Sequence, residues 1–164
     1  MTSYVDSPDS AAARLRELLA AELTRIHDLE TALAAEYDAL LGSDADALEA
    51  ATRAKNAALA AQQEQQLRRA AWTRSQGMDA NAPLDEVIQT VGGSWQLNEL
   101  REAMIQHARR CQDSNRHNGA LILRLQDRTR QALNILRQSD AAPSLYSTSG
   151  QRESSDDSRS LGKA

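Results

Sequence analysis

The chain has 164 residues, enough for one domain with tails, and 41% of them are hydrophobic. Aromatic residues account for only 3% and Phe is absent, which excludes a typical sheet protein because strands favour aromatic and β-branched side chains. The net charge of -4 provides no general attraction to nucleic acid or anionic membrane, and the single cysteine, Cys111, excludes an intramolecular disulfide.

The first long helix is predicted over about 10–41, after Asp9 or Ser10 as its cap. Its larger apolar residues recur every three or four positions, the spacing of one helical face, at Leu15, Leu19, Leu23, Ile26, Leu29, Leu33, Tyr37 and Leu40. Residues 1–9 are acidic and polar, do not resemble a secretory signal, and are expected to be disordered. Because no apolar run is long enough to cross a bilayer, we expect a cytoplasmic protein without stable membrane insertion.

The second helix is predicted over about 44–75, with Gly42 ending the first helix and Ser43 or Asp44 capping the next. This connection is short, so the two helices should pack antiparallel. The second helix is rich in Ala and Gln, which predicts a shallow apolar face that a neighbouring helix can approach closely. A linker follows, with one short helix over about 83–91 and the pair Gly92–Gly93 as breakers.

The third long helix is predicted over about 94–138. Its seam averages 3.5 residues per step, which is the coiled-coil period, and comprises Leu97, Leu100, Met104, Ala108, Cys111, Asn115, Asn118, Ile122, Leu125, Thr129, Ala132 and Leu136. Residues 139–164 are Ser-rich and charged, which predicts a disordered tail containing a short docking motif. The fold predicted is therefore all-α: an elongated antiparallel bundle of three long helices over 10–138, with a short connector helix and disordered termini.

Asn115 and Asn118 fall on this predicted seam, beside Gly119. Polar seam residues can fix the register of packed helices at a cost in stability. They can also contact a bound partner helix, or line a solvated gap. Replacing both by Leu is expected to raise thermal stability if they set register, and to impair partner binding if they belong to a groove.

The sequence contains no pattern that predicts an enzyme, a cofactor or a metal site. His27 and Glu30 have the reverse order of the Glu-x-x-His pairs in di-metal bundles, and His107 and His117 are expected to be partly exposed helical histidines. Cys111 is expected to be a small buried hydrophobe. The acidic first helix and the basic third helix predict charge complementarity between neighbours, and no nucleic-acid partner.

Two stretches of the sequence carry a family resemblance, "CQDSNRHNGALI" at 111–122 and "LYSTSGQ" at 145–151. Together with the layout of long helices, a broken connector and a tail, they resemble FlgN, the flagellar type III export chaperone. The family has an Asn-x-x-Asn-Gly stretch in its long C-terminal helix and a Leu-Tyr-x-x-x-Gly-Gln element in its tail.

The resemblance implies a chaperone that binds the hook–filament junction proteins FlgK and FlgL and delivers them to the export gate protein FlhA. Its clients' terminal helical segments suit binding in a helical groove. The candidate groove residues are Asn115, Asn118, Leu121, Ile122, Leu125, Leu133 and Leu136. The candidate gate-docking residues are Leu145, Tyr146 and Gly150.

An alternative function is that of a structural coiled-coil or adaptor protein that self-associates, for example as a homodimer, through its third helix. Many of the groove candidates would then hold helices together.

Overall fold

The computed structural model describes the backbone of residues 8–140 and the side chains of residues 9–138. This part of the chain is all-α, as predicted. Its four helices are α1 (Pro8–Gly42), α2 (Ala45–Ser75), α3 (Leu84–Thr90) and α4 (Trp95–Asp140). Within this part the chain divides into two units, and the boundary between residues 126 and 127 falls within α4. The packing described below belongs to the first unit.

The turn between α1 and α2 consists of Ser43 and Asp44. Ser43 adopts a left-handed backbone conformation, with φ of 52°, which ends α1. The Asp44 side chain then accepts a hydrogen bond from the backbone N–H of Ala47 at 2.9 Å. This bond satisfies one of the free N–H groups at the start of α2, as expected for an Asp cap.

Helices α1 and α2 pack antiparallel. Among the described helices, their two backbones approach each other most closely. Near the start of α1, the Gln65 side chain donates to the Leu18 carbonyl oxygen at 3.2 Å. Near the end of α1, Glu36 pairs with Lys55. The close approach follows from the small residues in the interface, because Ala51 and Ala58 are buried on α2.

The connector helix α3 covers the apolar end of the first unit. Val87, Ile88 and Val91 are buried and belong to the same hydrophobic core as Leu15 and Leu97. Gly92 and Gly93 then have φ values of 92° and 34°, a region that glycine enters without strain, and the chain turns into α4.

Helix α4 runs parallel to α1, because hydrogen-bonded pairs between them keep a sequence separation of 77–85 residues along the contact. Its buried row has a strict seven-residue spacing at Leu97, Met104, Cys111 and Asn118. On α1 the buried row Leu19, Ile26, Leu33 and Leu40 has the same spacing. Two matched heptad rows are what a coiled-coil interface requires.

The predicted seam of α4 is wrong at five positions, because the side chains of Ala108, Asn115, Thr129, Ala132 and Leu136 are exposed. Ala108 and Asn115 each lie four residues after a buried position, about 40° around the helix, and α1 covers only a narrow strip of α4. The other three belong to the second unit, where every described side chain is exposed. The predicted charge pairing of α1 with α4 also holds only in part, because the buried carboxylates Glu22 and Glu36 pair with Arg69 and Lys55 of α2.

Candidate functional site

The two asparagines singled out by the sequence lie in different environments. Asn118 is only 2% exposed, and its side-chain N–H group donates to the Leu33 carbonyl oxygen and to the Glu36 carboxylate, both at 2.9 Å. Glu36 is itself paired with Lys55. A polar network therefore joins α4, α1 and α2 at one level of the bundle. Asn115 is exposed and lies outside this network.

The next groove candidates lie in the last part of the first unit. Leu121, Ile122 and Leu125 are half-buried, while Leu123 is 63% exposed. Burial decreases here because α1 ends at Gly42. The sequence separations of 82 and 85 residues in the nearest α1–α4 contacts align this end of α1 with about residues 124–127 of α4. This stretch therefore combines packing residues with accessible apolar surface.

The part of the second unit that the structure describes is a helical segment with an apolar surface. All side chains of residues 127–138 are exposed. Leu133 is 50% exposed, Ile135 is 67% exposed and Leu136 is 60% exposed. Leu133 and Leu136, three residues apart, share one helical face. The docking candidates Leu145, Tyr146 and Gly150 lie outside the described residues.

The structure also brings together a polar cluster that the sequence did not predict. The His107 Nδ1 atom lies 2.8 Å from the Glu30 carboxylate, and its Nε2 atom lies 3.0 Å from Nε2 of His27. His107 and Glu30 are half-buried and His27 is exposed. The sequence showed the His27–Glu30 spacing, but His107 is 80 residues away from His27. Only the parallel register of α1 and α4 makes them neighbours.

A cleft of about 520 Å³ lies among the helices of the first unit. Ile26, Leu29, Met104 and Cys111 contribute to its apolar wall. Burial, and to a lesser extent the Glu30 carboxylate, raises the pKa of the Cys111 thiol above its usual value. A thiol held in its neutral form is a poor nucleophile and a poor metal ligand, which agrees with its position in the hydrophobic core.

No helix in the described part of the chain is long and apolar enough to span a bilayer.

The architecture places the chain among all-α proteins built on paired long helices. The model of the FlgN protein family matches residues 5–154. Since this match covers nearly the whole chain, the chain belongs to the FlgN family, and its general role is that of a flagellar export chaperone. No curated protein and no solved structure matches it.

Proposed function

We propose that this chaperone binds the C-terminal helical segments of the junction proteins FlgK and FlgL and delivers them to the export gate protein FlhA. The observation that carries the proposal is the exposure of large apolar side chains near the end of α4. Leu133 and Leu136, on one helical face, are at least half exposed. An amphipathic client helix could cover such a face and remove it from water.

Asn118 has a different role in this proposal from the accessible groove candidates. Its amide is occupied by Leu33 and Glu36 within the first unit, so we assign it to helix register. The remaining groove candidates are accessible or half-buried: Asn115, Leu121, Ile122, Leu125, Leu133 and Leu136. We assign client contact to these residues, and the largest contribution to Leu133 and Leu136, which are the most exposed leucines among them.

The test is a pull-down of FlgK and FlgL C-terminal segments by the full chain, followed by light scattering of the complex after size exclusion. A double substitution of Leu133→Ser and Leu136→Ser should reduce capture at least about tenfold, because each lost leucine contact contributes roughly 1 kcal/mol or more. The matched control is Leu59→Ser with Leu67→Ser, which removes two exposed leucines from α2.

The alternative function, a structural protein that self-associates through α4, is supported by the same exposed leucines. Light scattering of the chain alone distinguishes the two. A one-to-one complex with a client favours the chaperone proposal. A stable homo-oligomer that dissociates on substitution of Leu133 and Leu136, combined with no client capture, favours the structural function.

A further inference from the structure

The cluster of His27, Glu30 and His107 has the arrangement of a metal site. Their potential ligand atoms all lie within 4.8 Å of one another. The two Nε2 atoms lie 3.0 Å apart, and the rings meet edge to face, with centroids 4.1 Å apart and an interplanar angle of 73°. Two imidazole nitrogens bound to one tetrahedral Zn²⁺ are about 3.3 Å apart, given Zn–N bonds of about 2.0–2.1 Å. The observed separation is close to that value.

The hydrogen bond from His107 to Glu30 supplies the orientation that a metal-binding histidine needs. A carboxylate 2.8 Å from Nδ1 accepts a hydrogen bond from Nδ1–H, and the neutral ring then has its lone pair on Nε2. Carboxylate–histidine pairs of this kind fix the tautomer and the orientation of the ligating ring. His107 is therefore held with its free nitrogen directed toward His27.

The His27 ring supplies the accessible side of the cluster. It is exposed, so it can rotate until its Nε2 lone pair points at an ion shared with His107, and water can complete the coordination. Without an ion, one imidazole must donate to the other across this 3.0 Å contact. An ion between them would replace this single hydrogen bond by two coordinate bonds.

Arg110 is the charged group that opposes an ion here. One guanidinium nitrogen lies 3.4 Å from His107 Nε2, and another lies 3.6 Å from the Glu30 carboxylate. Its positive charge disfavours a cation by Coulomb repulsion. The Arg110 side chain is 60% exposed, however, so it can move into solvent when an ion binds.

We propose that His27 and His107 bind one divalent transition-metal ion of the Zn²⁺, Ni²⁺ or Cu²⁺ class, with Glu30 as the residue that positions His107. Imidazole ligands favour these ions over Mg²⁺ or Ca²⁺, which prefer oxygen. The ion links α1 to α4 across 80 residues of sequence. It stabilises the folded first unit, since it binds the folded chain in preference to the unfolded one.

The experiment is a calorimetric titration of the full, untagged chain with Zn²⁺ at neutral pH, with Mg²⁺ titrated in parallel. We expect one Zn²⁺ per chain and no heat from Mg²⁺. His27→Gln and His107→Gln should each weaken Zn²⁺ binding by at least about tenfold. The control is His117→Gln, since His117 is also a histidine of α4 but contacts Tyr37 and lies outside the cluster. It should leave the affinity within about twofold.

Two further variants test the cluster without removing a ligand. Glu30→Gln should weaken Zn²⁺ binding about 10- to 100-fold through the loss of the carboxylate behind His107. Arg110→Gln should strengthen Zn²⁺ binding by removing the competing charge, and this gain cannot arise from misfolding. Circular dichroism of each variant verifies its helix content.

The absorption of bound Co²⁺, used in place of Zn²⁺, reports the coordination geometry. Intense visible bands indicate tetrahedral coordination, the geometry from which the separation of about 3.3 Å between the two nitrogens was derived. The proposal is overturned if the chain takes up no Zn²⁺ at micromolar concentrations, if His27→Gln and His107→Gln bind as tightly as the unaltered chain, or if His117→Gln loses binding to the same degree.

Discussion

At the scale of single residues, Asn118 shows how a polar side chain can stabilise a packed helical seam. It is buried and donates both to the Leu33 carbonyl oxygen and to the Glu36 carboxylate. For asparagines that set register, the sequence predicted that replacing Asn115 and Asn118 by Leu would raise thermal stability. The structure changes this expectation, because Leu would leave two buried acceptors without this donor.

Asn118→Leu should therefore lower the free energy of unfolding by roughly 1–3 kcal/mol, the cost of an unsatisfied buried polar group. Urea denaturation followed by circular dichroism measures this change. Asn115→Leu is the control, since Asn115 is exposed and its replacement should change stability by less than about 0.5 kcal/mol. Equal effects of the two substitutions would contradict the register role of Asn118.

Cys111 provides a second prediction, through its raised pKa. Below the pKa of the unfolded thiol both states carry the proton, and the contribution of this thiol to stability does not change with pH. Above it the unfolded chain releases the proton while the folded chain retains it, so stability falls as pH rises toward the folded pKa. As the pH rises from about 8 to about 10, the free energy of unfolding should therefore decrease less in Cys111→Ala than in the unaltered chain. Denaturation curves of both chains across this range measure the difference, and parallel curves would contradict it.

At the scale of helices, the two ion pairs between α1 and α2 differ from the surface pairs. Glu22 and Glu36 are each 2% exposed and pair with Arg69 and Lys55, which are also largely buried. By contrast, Glu49 and Arg53 form a pair within α2 whose side chains are about two-thirds exposed. A buried charge left without its partner is costly, whereas an exposed one is solvated by water.

Glu36→Ala should accordingly reduce the free energy of unfolding by about 3 kcal/mol, since it leaves Lys55 and Asn118 without their shared partner. Glu49→Ala, the matched control, should change it by less than about 1 kcal/mol. Thermal and urea denaturation of both variants measure the contrast. A small effect at Glu36 would mean that solvent reaches Lys55 readily and that the network contributes little.

At the scale of the whole molecule, the proposed function divides client binding and gate docking between α4 and the tail. The tail candidates are Leu145, Tyr146 and Gly150, and a lone Tyr among Ser and charged residues is a typical anchor for a partner pocket. Tyr146→Ala should preserve helix content and client capture while weakening binding to FlhA at least about tenfold, the effect of losing a binding hot spot. The test of this division is to immobilise FlhA on a surface and to measure its binding to the chain, first without a client and then with a client bound.

The control for the tail is Tyr37→Ala, which removes a tyrosine of α1 that contacts His117. Gate docking should survive this change. If Tyr146→Ala abolished client capture as well as gate binding, the two activities would share one surface, and the proposed division would be wrong.

The sequence by itself determined the all-α class, the order of the helices and the heptad row through Leu97, Met104 and Cys111. These features depend on local signals, namely caps, breakers and apolar spacing, which are readable within a few turns of chain. The sequence also indicated the FlgN family, and the family model matches residues 5–154.

Only the tertiary structure decided which side of each helix is covered. It separated buried Asn118 from exposed Asn115, directed the acidic residues Glu22 and Glu36 toward α2, and set His107 beside His27. These outcomes depend on which helices pack together and on their parallel or antiparallel register. Such contacts join residues up to 85 positions apart, and no local spacing along one helix encodes them.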